Sequence, residues 1–246
     1  MDTKKSKWAL GSVIVGSLAV LVMLGAGYGY QWELWGLSIA FTWLLPGSAI
    51  LGLIGFSLAV VFGFSRLKKP ELEGKVVALL GLVLSIAVLG SIGYWFNEAQ
   101  KYPSIHDITT DIENPPTFDA IVALRADAPN DTTYGDQEKA QTQRNAYPEL
   151  ETLYLEVSYS EAFDRALEAA RQMPWEKIVT ADKETGLIEA VDKLAWFGFK
   201  DDVVIRVDTA ETAGKSKIDV RSVSRIGRGD IGVNAHRIRQ YLEKIK

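Results

Sequence analysis

Three stretches without a single charged side chain dominate the first hundred residues: Lys7 to Glu33, Glu33 to Arg66, and Lys75 to Glu98. A helix rises about 1.5 Å per residue, so about 20 apolar residues cross the hydrocarbon core of a bilayer. The apolar bodies of these stretches, about 8–28, 37–64 and 76–96, all reach that length. Core helices of soluble proteins seldom run so far without a polar break, and three in succession predict an all-α transmembrane anchor over residues 1–96. Pro46 and Gly47 predict a kink in the second span. Leu24-Gly25-Ala26 is a poor small-x-small site and the first apolar run exceeds a signal h-region, so the first span is expected to stay uncleaved.

The spans contain no Asp, Glu, Lys, Arg or His, which argues against a proton relay, an ion pathway or a transporter of charged substrates. Ser12 with Gly16, Ser48 with Gly52, and Gly81 with Ser85 recur at helix-packing intervals. Close packing of the three helices explains them, and a surface for a membrane partner is the sharper alternative. Lys4, Lys5 and Lys7 precede the first span, and Arg66, Lys68, Lys69 and Lys75 separate the second from the third. Basic short segments stay in the cytoplasm, whereas the loop around Trp32 and Trp35 carries no Lys or Arg. The expected location is a bacterial inner membrane, multi-pass, with the N-terminus cytoplasmic and the C-terminal domain periplasmic or otherwise extracytoplasmic. Tyr94 and Trp95 would mark the outer interface.

Residues 97–246 are different in kind. They hold 20 of the 27 Lys/Arg and 27 of the 31 Asp/Glu, a net charge of −7. An acidic domain repels phosphate backbones, so nucleic acid is not an expected partner. With no cysteine, disulfides, thiolate chemistry and Cys-ligated metals are excluded.

From residue 97 to 149 the chain is polar, contains Pro103, Pro115, Pro116, Pro129 and Pro148, and keeps no sustained period. It reads as an extended arm, either dangling or packed along the domain through residues such as Ile105, Ile108, Phe118 and Ile121; residues 130–136 are its most mobile stretch by composition. Residues 150–246 then predict strand, helix, four strands, helix. Leu153, Leu155 and Val157 alternate with polar residues, Ser158 and Glu161 form a capping box, and Phe163, Ala166, Leu167 and Ala170 share a helix face. Strands are expected at about 177–181, 187–194, 203–208 and 217–223, with a hairpin at Asp182 to Gly186 and a turn at Ala213-Gly214. A last helix is expected from about Ile231 to Ile245. Short links imply an antiparallel sheet with both helices on one face, an α+β domain. The other face would carry Tyr154, Glu156, Arg206, Asp219 and Arg221. It is a solvated ion-pair surface, a bed for the arm, or a binding groove.

The run RSVSRIGRGDIGVNAHRI at Arg221 to Ile238 closely resembles the C-terminal signature of the family catalogued as domain of unknown function 1499. IHDITTDIENPPTF at Ile105 to Phe118 and FGFKDDVVIRV at Phe197 to Val207 look like the same family's membrane-anchored bacterial branch. The resemblance covers about residues 102–245 and implies a bacterial envelope protein. It implies no reaction. Some branches carry cysteines in the arm, and no role resting on them transfers to this cysteine-free chain.

Candidate ligand-binding residues cluster around the start of the last helix: Arg221, Arg225, Arg228, Asp230, Asn234 and Arg237. A helix N-terminus and guanidinium forks suit a phospholipid headgroup or a carboxylate. Alternatively, Asp230 caps the helix while Asp219 and other acids neutralise the arginines. His106, Asp107 and Asp111 offer a nitrogen and two oxygens, but in a single short run without a second histidine; no metal is expected, and local turn bonding suits the two aspartates better. No cofactor is expected. Nucleophile elbow, His-Glu-x-x-His and Walker motifs are missing, and Gly227-x-Gly229-x-x-Gly232 precedes the final helix with no room for a βαβ unit. The sequence therefore favours a non-enzymatic, membrane-anchored envelope protein whose partners are the lipid bilayer and an envelope protein or anionic ligand. The competing reading is a membrane-surface hydrolase or transferase using the Arg/Asp/Asn loop at the last helix.

Overall fold

A computed structural model describes residues 4–212 and 214–246, so the Ala213 half of the expected Ala213-Gly214 turn lies outside the described residues. The chain forms two compact units, the first reaching to Ala99 and taking in Ala195–Gly198, the second comprising Gln100–Leu194 and Phe199–Lys246.

In the first unit, strand β1 (Lys4–Lys5) leads into helix α1 (Lys7–Gln31). A short helix α2 (Leu37–Ile39) runs through a π turn (Ala40–Leu44) into α3 (Leu45–Lys68), and strand β2 (Leu72–Glu73) precedes α4 (Lys75–Ala99). Lys7–Gln31, Leu37–Lys68 and Lys75–Ala99 are long and apolar enough to cross a membrane. Each helix extends slightly past the expected span, because its backbone hydrogen bonding continues through the polar residues that flank the apolar body. The expected irregularity near Pro46 takes the form of the π turn immediately before it: proline brings no N–H, and the ladder widens where it is lost.

Small residues hold the three helices together. A Cβ on Gly16 would sit 3.0 Å from the Gly81 carbonyl oxygen, and one on Gly81 only 2.6 Å from the Ser12 backbone. Ser12, Ser48 and Ser85 are fully buried. Ser12 Oγ donates to the Ala9 carbonyl at 2.8 Å, and Ser48 Oγ to that of Leu45 at 2.7 Å. Backbones meet this closely because apolar side chains gain nothing by leaving lipid for one another, so contact area decides the packing.

The second unit adds β3 (Asp107–Thr109), a 3₁₀ turn (Val122–Arg125), α5 (Gln137–Ala146), β4 (Leu153–Leu155), α6 (Tyr159–Arg171), β5 (Lys177–Asp182), β6 (Leu187–Lys193), β7 (Lys200–Thr209), β8 (Ser216–Ser224) and α7 (Val233–Ile245). Strands β5 to β8 form an antiparallel meander. Strand β4 pairs with one end of the outer edge of β8, and β3 with the other end. Both α6 and α7 lie on one face, over a core containing Phe163, Ala166, Ile188, Val203, Ile205, Ile218, Val220, Ile238 and Tyr241. The domain is α+β.

Local chemistry accounts for the boundaries. Ser158 Oγ accepts the Glu161 N–H at 3.3 Å and opens α6. Asp182 accepts the Glu184 N–H at 2.9 Å, and Gly186 takes φ +74°, closing the β5–β6 hairpin. Ile231 does not begin the last helix as expected. It has φ 54° and Gly232 φ 76°, so the chain turns through the left-handed region before α7 starts at Val233.

The segment between Gln100 and Leu150 covers the second face of the sheet. Phe118 and Ile121 pack there on Val191, Val204 and Val223. It also holds α5, which the sequence does not betray: QEKAQTQRNA has no apolar stripe, and Gln143 is its one buried residue.

Candidate functional site

The polar side chains of the second unit fall into two groups on opposite faces of the sheet. Under the arm, β6, β7 and β8 present Glu189, Asp202 and Arg221, all within 2 % of full burial. The Glu189 carboxylate accepts the N–H groups of Asp119 at 2.6 Å and Ile121 at 2.7 Å, capping the 3₁₀ turn of the arm. Asp202 is grasped by Arg225, through Nη2 at 2.7 Å and Nε at 3.0 Å, and lies 3.3 Å from Arg125 Nη1. Burial lowers the pKa of Arg125; Asp202 opposes that shift, and Arg225 and Arg221 add to it.

Arg221 is the most heavily engaged side chain on this face. The β3–β8 register sets Thr109 opposite Arg221 and Asp107 opposite Val223, so Asp107 lies diagonally across from the guanidinium. Arg221 Nε and Nη2 reach the two Asp107 oxygens at 2.8 and 2.7 Å, while Nη1 and Nη2 donate to the Pro116 and Thr132 carbonyls at 3.1 and 2.7 Å. The rings of Phe118 and Tyr134 lie 5.3 and 5.5 Å from the guanidinium carbon. Burial, with Asp107 adding to it, pushes the Tyr134 hydroxyl up to about 12. Nearby, Gln143 accepts the Thr109 N–H at 3.0 Å and donates to the Thr109 carbonyl at 2.6 Å, standing in for a strand neighbour. Asp219 takes hydrogen bonds from Thr110, Thr152 and Arg206.

The helix-side group surrounds the start of α7. Asp230 accepts the N–H groups of Gly232 at 2.9 Å and Asn234 at 2.8 Å. Asn234 Nδ2 donates to the His106 carbonyl and to Ser224 Oγ, both at 3.0 Å. Arg237 Nη2 bridges Asp192 and Asp201, each at 2.7 Å, and Nη1 reaches Ser222 Oγ at 3.0 Å. Burial alone would lower the Arg237 pKa, but Asp201 and Asp192 outweigh it and raise the value.

The six candidate residues therefore do not form one constellation. Arg221 and Arg225 lie under the arm, Asp230, Asn234 and Arg237 on the helix side, and Arg228 in the exposed loop between them. Nor do His106, Asp107 and Asp111 converge. Asp107 holds Arg221 where local turn bonding was expected, His106 Nδ1 lies 3.3 Å from the Arg228 carbonyl, and Asp111 accepts the N–H groups of Glu113 and Asn114 as an Asx turn does. Glu189, Asp202, Asp192, Asp201, Arg125 and Gln143 are buried or half-buried participants that no sequence motif marks. A shallow groove of about 550 Å³ between α6 and the end of α7 is lined by Glu161, Asp164, Arg165, Glu168 and Lys244 among others, and it is open to solvent.

Residues 107–245 match the family described as "Protein of unknown function (DUF1499)", and they make up more than half of the chain. The chain belongs to that family. No curated protein and no solved structure matches it. The match begins at the first residue of β3 and ends at the last of α7, so the DUF1499 unit includes the arm as well as the sheet and helices.

Burial holds the Asp230 carboxyl above its ordinary range, although the Asn234 and Gly232 N–H groups pull the other way. A raised folded-state pKa means that the folded chain binds the proton more tightly, so stability falls as pH climbs from the ordinary carboxylate range through the raised value. The melting-temperature margin of wild type over Asp230→Asn is expected to narrow across that window. A margin that widens with pH contradicts the assignment.

Proposed function

We propose that this chain is a non-enzymatic envelope protein of the membrane-anchored bacterial branch of DUF1499. Its three helices hold the N-terminus and the basic connector in the cytoplasm, and its α+β module binds an envelope protein, lipid or anionic ligand on the other side. The observation that carries the threading is charge asymmetry: all seven Lys/Arg of the first 99 residues lie at positions 4–7 and 66–75, and none between 8 and 65. Pairing of β1 with β2 joins those two segments at one end of the bundle, and basic ends of spans are retained inside.

Binding is favoured over catalysis because the sheet face beneath the arm is filled by the arm, and the guanidinium groups of Arg221, Arg225 and Arg237 are turned onto internal carboxylates. Recognition then falls to outer surface, where Arg228, exposed in the loop before α7, is the candidate free to meet a partner. A photo-crosslinking amino acid at position 228, compared with one at Arg171 on the exposed side of α6, tests this in intact cells. Adducts at 228 with an extracytoplasmic protein or a lipid, several-fold above those at 171, are expected. Adducts with cytoplasmic proteins, or equal yields at both positions, overturn the reading.

A further inference from the structure

We infer that the basic end of the helix bundle is a binding surface for anionic phospholipid headgroups. Lys4, Lys5, Lys7, Lys68, Lys69 and Lys75 are exposed and, among the described residues, none forms an ion pair within the chain. This contrasts with the second unit, whose buried arginines are paired to its own carboxylates. Asp2, Glu71 and Glu73 are the only acids of residues 1–7 and 66–75, so with Arg66 these two segments carry a net charge of +4.

The lysines are also held in place. Lys4 and Lys5 pair in parallel register with Leu72 and Glu73, and the Ser6 N–H donates to the Glu73 carbonyl at 3.1 Å. The guanidinium of Arg66 folds inward onto the Leu72 carbonyl, tying the end of α3 to the same strand pair. Lys7 and Lys75 open α1 and α4 with no acidic residue in either first turn, so the positive ends of two helix dipoles reinforce the lysines. Each of these side chains lies within about a turn of a charge-free helix of hydrocarbon length, which sets its ammonium at headgroup depth. A soluble acidic partner would meet the same charge but not that depth, so a lipid phosphate is the ligand that fits. The inference does not depend on which way the chain is threaded.

Each lysine near an anionic surface is worth about five-fold in affinity, so removing three should cost about a hundred-fold. The test uses the full chain in nanodiscs of phosphatidylcholine alone or mixed with phosphatidylglycerol, with retained lipid counted by native mass spectrometry after release into detergent. Wild type is expected to enrich phosphatidylglycerol well above its bulk fraction, increasingly as salt is lowered. Lys68→Gln/Lys69→Gln/Lys75→Gln should lose the enrichment while still retaining phosphatidylcholine. If that variant fails to fold, the salt dependence on wild type decides. Equal retention of both lipids, an enrichment indifferent to salt, an unchanged enrichment in a folded variant, or displacement of phosphatidylglycerol by inorganic phosphate at millimolar concentration would each overturn the inference.

Discussion

Arg221→Met is expected to destabilise the second unit by about 3–5 kcal/mol, the usual cost of removing one partner of a buried ion pair. Methionine fills much of the same volume but supplies no donors. The substitution strands the Asp107 carboxylate, whose side chain is 10 % exposed, and it frees the Pro116 and Thr132 carbonyls at the same time. It also takes the guanidinium from between the rings of Phe118 and Tyr134, worth about 0.5–2 kcal/mol more. Asp107, Pro116 and Thr132 belong to three successive stretches of the arm, so the loss concentrates there. Protease cleavage between Thr110 and Ala146 should accelerate by at least about a hundred-fold, since each 1.4 kcal/mol of opening free energy is a factor of ten. Adding Asp107→Leu should restore part of the loss, because two apolar side chains leave no orphaned charge. An unchanged cleavage rate in Arg221→Met would mean that the arm is held by other contacts.

That variant also marks the boundary of what was legible in the sequence. Strands β5 to β8 and helices α6 and α7 announce themselves, because alternation and three-to-four spacing are properties of neighbouring residues. The partner of Arg221 is 114 positions away, and nothing local distinguishes a guanidinium destined for Asp107 from one reserved for a ligand. Asp230 differs: its capping of the last helix was one of the two readings its position offered, and the left-handed turn at Ile231-Gly232 brings the Gly232 and Asn234 N–H groups onto its carboxylate. Helix α5 escapes notice for a different reason. Its single buried residue is an amide that completes the hydrogen bonding of Thr109, so there is no apolar period to read.

One signal for the covered face was present. In β6, Leu187, Glu189 and Val191 share a side, and in β7, Asp202, Val204 and Arg206 do. Apolar residues interleaved with acids on a sheet face call for a lid that brings its own donors, and the arm does so through the amides of Asp119 and Ile121 and the guanidinium of Arg125. The small-residue pairs of the helices could be read more directly. Lipid offers no reason for a buried glycine other than close approach, and Gly16 and Gly81 meet at the bundle axis.

The proposed threading puts the α+β module and the basic connector on opposite sides of a membrane. Because the chain has no cysteine, Ser160→Cys on the exposed side of α6 and Glu71→Cys in the connector each create a unique thiol. A membrane-impermeant maleimide applied to cells with an intact inner membrane should label Ser160→Cys at least about ten-fold more than Glu71→Cys, with the two becoming equal after lysis. That margin is set by the impermeability of the bilayer to a charged reagent. Labelling of Glu71→Cys in intact cells with Ser160→Cys protected would reverse the threading.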